Sequence, residues 1–538
     1  MQAAQPAGPP TVPLSRGAIT ITIATAVSRI TGFVRVIVVA GALGTTFLAN
    51  TYQTANTAPN LVFELAAAGV LTSVFVPTFV EFLIRGQREK GWEAANALAS
   101  VGLVALIGIS LLVALLAAPI VRLLTLGVDD PSLRAQEIAL GARFLRLFAP
   151  QIVFYGLGMI MTAALHAHRR FAVPAIAPIF NNLVVIAVYL AYAVMRGDRP
   201  PTVSGITAGE VLVLGLGTTM GVVAMTLCLA PSLARIGWRI RFRWNPGHPA
   251  VRRGARLGSW ALGYAGGYQL GLIVVLALAN QIEGGVAAYQ WAFTFFYLPH
   301  ALFGVPIFSV LFTTMSEKAA ADDLKGLGER LRDGLRILLF ILMPVAVALF
   351  VLAIPISVVA LDHGVMGRGD AAAVGRVLAV LALGLPSYSA FLVLTRAFYA
   401  VGETRVPALV NALAVATSSV VGAILFWSLD DRWRVPGLAA GHTIGFLLGA
   451  IGLARLLSGR IGVTGSTQLR AALIRSLCLA GVVGVVMAGI VAAPWPGADA
   501  PGPTVVLAAV AGGAVYAGLA ARFGAPELRR LMSALRGR

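Results

Sequence analysis

Apolar positions dominate this chain in runs of roughly 20 residues or more, separated by short polar connections. As a helix, each run is long enough to cross about 30 Å of hydrocarbon. The runs are continuous and do not alternate with period two, which predicts helices and not the strands of a barrel. Fourteen spans are expected: 18–43, 48–84, 95–120, 134–166, 173–195, 207–234, 254–281, 285–316, 334–360, 371–400, 405–428, 435–457, 470–493 and 502–522. The second and eighth exceed what a bilayer needs and carry Pro59 and Pro299, so a bend or break is expected at each. The fold class is therefore an all-α polytopic membrane protein.

Composition agrees. Of 538 residues, 58% are hydrophobic and 12% charged, with mean hydropathy +0.86; soluble domains average about 25% charged. A formal charge of +19 would suggest nucleic acid in a soluble protein. Here the basic residues fall in short loops, where they set orientation, so no nucleic-acid partner is expected. One side holds 85–90, 168–170, the strongly basic 235–256, 317–336, 402–405, 455–475 and the C-terminal tail, whereas the alternate loops are shorter of arginine and comparatively rich in aspartate. The basic side is expected to be cytoplasmic, which puts both termini on the cytoplasmic side. Residues 1–17 are Pro- and Ala-rich and read as a disordered tail without the basic n-region of a cleaved signal. Cys228 and Cys478 each lie inside an expected span, and no Cys/His cluster supports a metal site or a cofactor.

An internal repeat is visible. The stretch "TAALHAHRRFAVPA" (162–175) aligns without gaps on "TRAFYAVGETRVPA" (395–408), and "YQ" recurs at 52–53 and 289–290 ahead of the two prolines. The organisation expected is two pseudo-symmetric six-helix lobes, 18–236 and 252–458, followed by two further helices in 470–522 and a basic tail, 523–538. Parallel halves of this kind are a transporter architecture, with the site between them.

The residues that could carry chemistry are few. Arg29 and Arg35 lie within the first apolar run, and an arginine mid-span costs about 2.5–3.5 kcal/mol on insertion scales. On a helix they are about 9 Å apart along the axis and about 120° apart in azimuth, with Gly32 midway leaving room and a point of flexure. Two planar guanidinium forks suit an anion with several oxygens, phosphate above all. The competing account is snorkelling, or a structural ion pair with Glu64 of the second span. Pro59 opens helix hydrogen bonding that Asn60 can re-satisfy; a local capping role for Asn60 is the alternative to substrate contact. Arg143, Arg146 and Arg396 read as interfacial, and His300 and His442 as packing residues. No HExxH, GxSxG or P-loop occurs, so neither an enzyme nor internal ATP drive is expected.

The segments "SRITGFVR" (28–35), "APNLVFELAAAGVLTSVFVP" (58–77), "HAHRRFAVPAIAP" (166–178) and "RAFYAVGETRVP" (396–407) resemble signature stretches of the MurJ (MviN) family of lipid II flippases, in the multidrug/oligosaccharidyl-lipid/polysaccharide exporter superfamily. The resemblance implies two lobes around a central cavity, with the last two helices forming a lipid-tail groove. It also implies alternating-access export of undecaprenyl-diphosphate-linked disaccharide-pentapeptide. Arg29 and Arg35 match family arginines that hold the diphosphate. The sequence departs from the family pattern at Phe63 and Glu64, where a basic pair is usual. It departs again at Val36 and Asn50, where acidic residues are frequent, and near Thr294, where a cavity arginine is usual. Sodium coupling through second-lobe carboxylates is not supported by spans seven or eleven.

The function expected is thus a flippase for a polyprenyl-diphosphate saccharide, most simply lipid II. Its partners would be that lipid-linked substrate, membrane lipids and cell-wall synthesis proteins. The rivals are export of another lipid-linked polysaccharide or a drug, and a divergent non-transporting cell-wall scaffold.

Overall fold

The structure is a computed structural model that describes residues 14–67, 88–238, 241–249, 251–252, 269–461, 467–494 and 500–523. Every regular element among them is helical. In chain order they are α1 (Leu14–Leu43), α2 (Phe47–Ala67), α3 (Arg88–Leu115), α4 (Ala117–Leu124), α5 (Pro131–Phe148), α6 (Gln151–Ala167), α7 (Ala172–Arg196), α8 (Ala208–Leu227), α9 (Ala230–Arg235) and α10 (Gln269–Ala279). There follow α11 (Gly285–Pro299), a π turn (His300–Gly304), α12 (Val305–Ala320), α13 (Leu324–Leu361), α14 (Arg368–Leu383), α15 (Leu385–Ala400), α16 (Arg405–Ser428), α17 (Asp431–Ile461), α18 (Thr467–Ala492) and α19 (Pro501–Arg522).

Among the described residues, 11 spans are long and apolar enough to cross a membrane, and the pair α14–α15, bent by 47°, makes a twelfth. The two other expected spans, 48–84 and 254–281, are represented by α2 and α10, and their remainders lie outside the described residues. The count of fourteen is therefore not established. The expected tail 1–17 begins its helix early, at Leu14, and the expected basic tail lies outside the described residues beyond Phe523.

Local chemistry fixes the helix starts. Asp130 caps α5 by accepting from the Ser132 and Leu133 amides, with Pro131 at the first helical position. The Ser132 hydroxyl, which donates to the same carboxylate oxygen at 2.8 Å, and then those two amides hold the Asp130 carboxyl below its ordinary range. Thr207 and Glu210 form a reciprocal capping box on α8, and Glu210 also pairs with Arg199. Asp323 caps α13 through the Gly326 amide and pairs with Lys318 at 2.8 Å.

The repeat read in the sequence is also a repeat in structure. Helix α6 ends at Ala167 and α15 at the matching Ala400; α7 starts at Ala172 and α16 at the matching Arg405. Both turns close with the same pair of backbone bonds. In the first, Arg169 N donates to His166 O and Arg170 N to Leu165 O; in the second, Gly402 N donates to Tyr399 O and Glu403 N to Phe398 O. This is the Schellman arrangement, and its left-handed position holds Arg169 (φ 58°) in one copy and Gly402 (φ 77°) in the other.

Helices before α10 pack mainly on one another, as do those from α11 to α17. In the first set Tyr52 is fully buried, meeting Phe144, Phe148 and Tyr189 edge-on and bonding Thr218 Oγ1 at 2.6 Å. Helices α18 and α19 pack on each other and on α13, where Leu352, Val483, Met487 and Ala508 interlock and Tyr516 donates to Phe340 O.

Candidate functional site

The two sets of helices are stitched together at one end. Asn50 of α2 donates to Ile282 O at 2.8 Å and accepts from Val286 N at 3.0 Å. Asn280 donates to Thr54 Oγ1 and to Leu124 O, at 3.1 and 3.0 Å. Val365 N reaches Gly41 O at 2.9 Å, and the His363 ring meets Ile37 O at 3.2 Å. Close approach is needed for this: a Cβ on Gly41 would lie 2.8 Å from the His363 ring, and one on Gly284 (φ +66°) would lie 2.3 Å from Thr45.

Deeper in the bundle lies a polar cavity of about 170 Å³. Arg35 of α1, Gln53, Asn56 and Asn60 of α2, Asn181 of α7 and Gln290 of α11 supply its principal polar groups. Tyr155 and Thr294 also face it. Arg35 is half-buried and, among the described residues, neither it nor Arg29 forms an ion pair. A guanidinium in an apolar span, ringed by neutral amides and without a carboxylate, presents positive charge to whatever enters.

The other expected site residues sit as follows. Arg29 is exposed and stands over the Tyr297 ring at 5.6 Å, so it faces α11 rather than the Arg35 cavity. Asn60 lines the cavity and donates to Asn56 O at 3.2 Å, combining the local bond with exposure to the site. Glu64 accepts from Gln269 of α10, and the ion pair with Arg29 or Arg35 that the competing account required is not formed among the described residues. The nearest neighbour of Gly32 is Asn182. A Cβ there would touch Asn182 Nδ2 at 3.5 Å, and that amide bonds Ser28 O and Thr31 Oγ1. The glycine lies at the α1–α7 contact, and α1 runs unbroken through it. Likewise α2, where a bend or break was expected, is assigned as one helix through Pro59. After Pro299 the hydrogen bonding does change, to the π turn His300–Gly304.

Gln53, Asn56, Asn181 and Gln290 were not singled out from sequence. Their signal was present: 53, 56 and 60 lie at i, i+3 and i+7, and 290 and 294 at i and i+4, as polar stripes on apolar helices. Thr294, where the related family usually has a cavity arginine, does line the cavity. Phe63 packs on Tyr155 instead of adding charge. His300 bonds Ser389 Oγ at 2.9 Å, and His442 packs among Phe293, Phe296 and Phe446.

A curated relative from Rhizobium tropici, described as a probable lipid II flippase MurJ, is 30% identical over 439 residues, 81% of this chain and 79% of its own. The lipid II flippase MurJ of Burkholderia cenocepacia is 26% identical, with 81% of each chain covered. Among solved structures, lipid II flippase MurJ in an inward closed conformation superposes with TM-score 0.77 at 19% identity, covering 96% of this chain and 100% of that one. An inward-facing multidrug resistance MATE transporter of the MOP superfamily gives 0.65 at 14% identity, covering 84% and 100%. The family model described as lipid II flippase MurJ matches residues 39–496, and the chain belongs to that family.

Proposed function

We propose that this protein moves a polyprenyl-diphosphate-linked saccharide, lipid II, from the inner to the outer leaflet of the bacterial plasma membrane. The reading rests above all on Arg35: a cation in a membrane span, facing a polar cavity, with no ion-pair partner among the described residues. Its guanidinium would take the diphosphate, Asn60 and the neighbouring amides would complete the oxygen contacts, and Arg29 would meet the anion at the cavity's approach beside Tyr297. Glu64, held by Gln269, would border the path and keep it from binding anions throughout.

The stitched end is assigned as outer and the termini as cytoplasmic, from the loop charges. The cavity's 170 Å³ suits phosphate groups with water, not a disaccharide-peptide. Passage of the head group therefore needs the two six-helix lobes, 18–236 and 252–458, to part. The flexure would fall at the Pro299 π turn, with Gly32 and Pro59 adjusting α1 and α2. The prenyl tail would stay in lipid along α18 and α19, whose apolar faces include exposed Val485 and Val510. The diphosphate carries about two negative charges, each worth about 2.3 kcal/mol per 100 mV. A membrane potential would thus bias one half of the cycle. The chemistry is transport, without a covalent step.

The test is depletion of the protein followed by an assay of which leaflet holds lipid II. Accumulation on the inner leaflet is expected; an unchanged distribution would remove the reading.

A further inference from the structure

Beside the Arg35 cavity is a second pocket, of about 230 Å³, enclosed by α2, α10, α11, α16 and α17. At roughly 30 Å³ per water in the liquid, it holds a ring-sized group rather than an ion. Its character is different. Tyr289, Phe293 and Phe446 present rings, Ser418 and Ser419 present hydroxyls, and no acidic or basic side chain except His442 lines it.

Two of its polar groups have bonding capacity to spare. His442 is 9% exposed, and its Nε2 is buried without a hydrogen-bond partner. Leaving such a group unsatisfied is unfavourable. Ser419 lines the pocket, and no hydrogen bond is recorded for its hydroxyl among the described residues. A purely apolar guest would leave both unmet, and a charged guest would find no counter-charge. A pyranose has apolar C–H faces for the rings and neutral hydroxyl and amide groups for the histidine and serine.

Position adds a second argument. Gln290 lines both pockets, and its amide donates to Thr57 Oγ1 at 2.9 Å, so one side chain divides the cationic cavity from the aromatic one. A saccharide bonded directly to a diphosphate has this same adjacency of charge and neutral ring.

We propose that the pocket between α10, α11, α16 and α17 is the subsite for the first sugar of the lipid-linked head group, with His442 and Ser419 as its specificity-determining contacts. This rests on the flippase reading, which supplies the diphosphate at Arg35.

The test uses the full chain in lipid nanodiscs and two probes, lipid II and bare undecaprenyl diphosphate. Binding is followed by native mass spectrometry, which counts each lipid retained on the chain. The readout is the ratio of the two affinities. Wild type is expected to prefer the saccharide-bearing lipid by about tenfold or more, and His442→Phe and Ser419→Ala each to cut that ratio about fivefold. Ser419→Trp, which fills the pocket, should abolish the preference. Ser419→Ala is the smallest change and keeps the test open if His442→Phe does not fold. A wild-type ratio near one, or a ratio unmoved by these variants, would overturn the subsite. The parent reading fails separately, if Arg35→Ala leaves binding of the bare diphosphate unaltered.

Discussion

Asn50 and Ile282 are 232 positions apart, yet the Asn50 amide donates to the Ile282 carbonyl at 2.8 Å. The Asn50 oxygen accepts from Val286 N in return, so one fully buried side chain satisfies backbone groups at the turn into α11. Asn50→Ala would leave these groups unpaired, at a cost of about 2 kcal/mol or more. The stitched end is then expected to open more often. With Cys228 and Cys478 replaced, a cysteine at Thr45 should be alkylated several-fold faster in the Asn50→Ala background. An unchanged rate would mean that this bond does not latch the end.

Arg35 and Arg29 differ in setting, and their variants should differ in effect. Removing a charge-assisted contact costs about 1.5–3 kcal/mol, so Arg35→Ala is expected to weaken bare-diphosphate lipid binding about 10- to 100-fold. Arg35→Lys keeps the charge and loses the planar fork, and should fall between. Arg29, exposed and stacked over Tyr297, should give the smaller loss. Equal effects at both positions would contradict the arrangement described here, and nanodisc affinities read the difference directly.

The helices were legible because lipid imposes a length and a composition on anything that crosses it, and long apolar runs have few other readings. The turn at 162–175 was legible as a repeat, and its twin at 395–408 has the same bonds. Arg35 stood out because a cation in hydrocarbon is expensive. What surrounds it was legible only as a helical spacing of polar residues, not as a site. Gln53, Asn56 and Gln290 are neutral residues that an apolar helix tolerates at modest cost, so nothing in composition marks them. Which of them face one cavity depends on how α1, α2, α7 and α11 are brought together. At Gly32 the neighbour was not legible either. A missing side chain marks a close approach without saying what approaches, and the neighbour is Asn182. Proline at 59 predicted a bend or break, and α2 is assigned as one helix through it; a helix supported on several sides can carry a missing N–H without ending.

The twin turns carry a stability prediction. Arg169 takes a left-handed conformation at φ 58°, where its structural counterpart is Gly402. That conformation costs an L-residue about 1–2 kcal/mol, part of which glycine returns as unfolded-state entropy. Arg169→Gly is expected to raise thermal stability by about 0.5–1 kcal/mol, and Gly402→Ala to lower it by a similar amount. Thermal melts of the two variants, read as a pair, check whether the copies are equivalent in energy as well as in shape.

At the stitched end Glu283 lies in a pocket of about 320 Å³ with Asp370, Asp431, Arg376 and Arg432. Desolvation, followed by repulsion from Asp370, raises the Glu283 carboxyl above its ordinary range, against a bond from the Phe47 amide. The sign follows from proton binding. The folded state holds this proton more tightly than the unfolded chain, so stability falls as pH climbs from the ordinary glutamate value through the raised one, and the loss is complete above it. Glu283→Gln should therefore melt with wild type at low pH and above it at neutral pH, flattening the profile. Glu283 is exposed, so the Asp370 share of the effect should shrink in high salt while the desolvation share persists. Asp370→Asn should remove only the salt-sensitive part. Parallel melting profiles for wild type and Glu283→Gln across that pH range would show that the carboxylate is not under strain at this end.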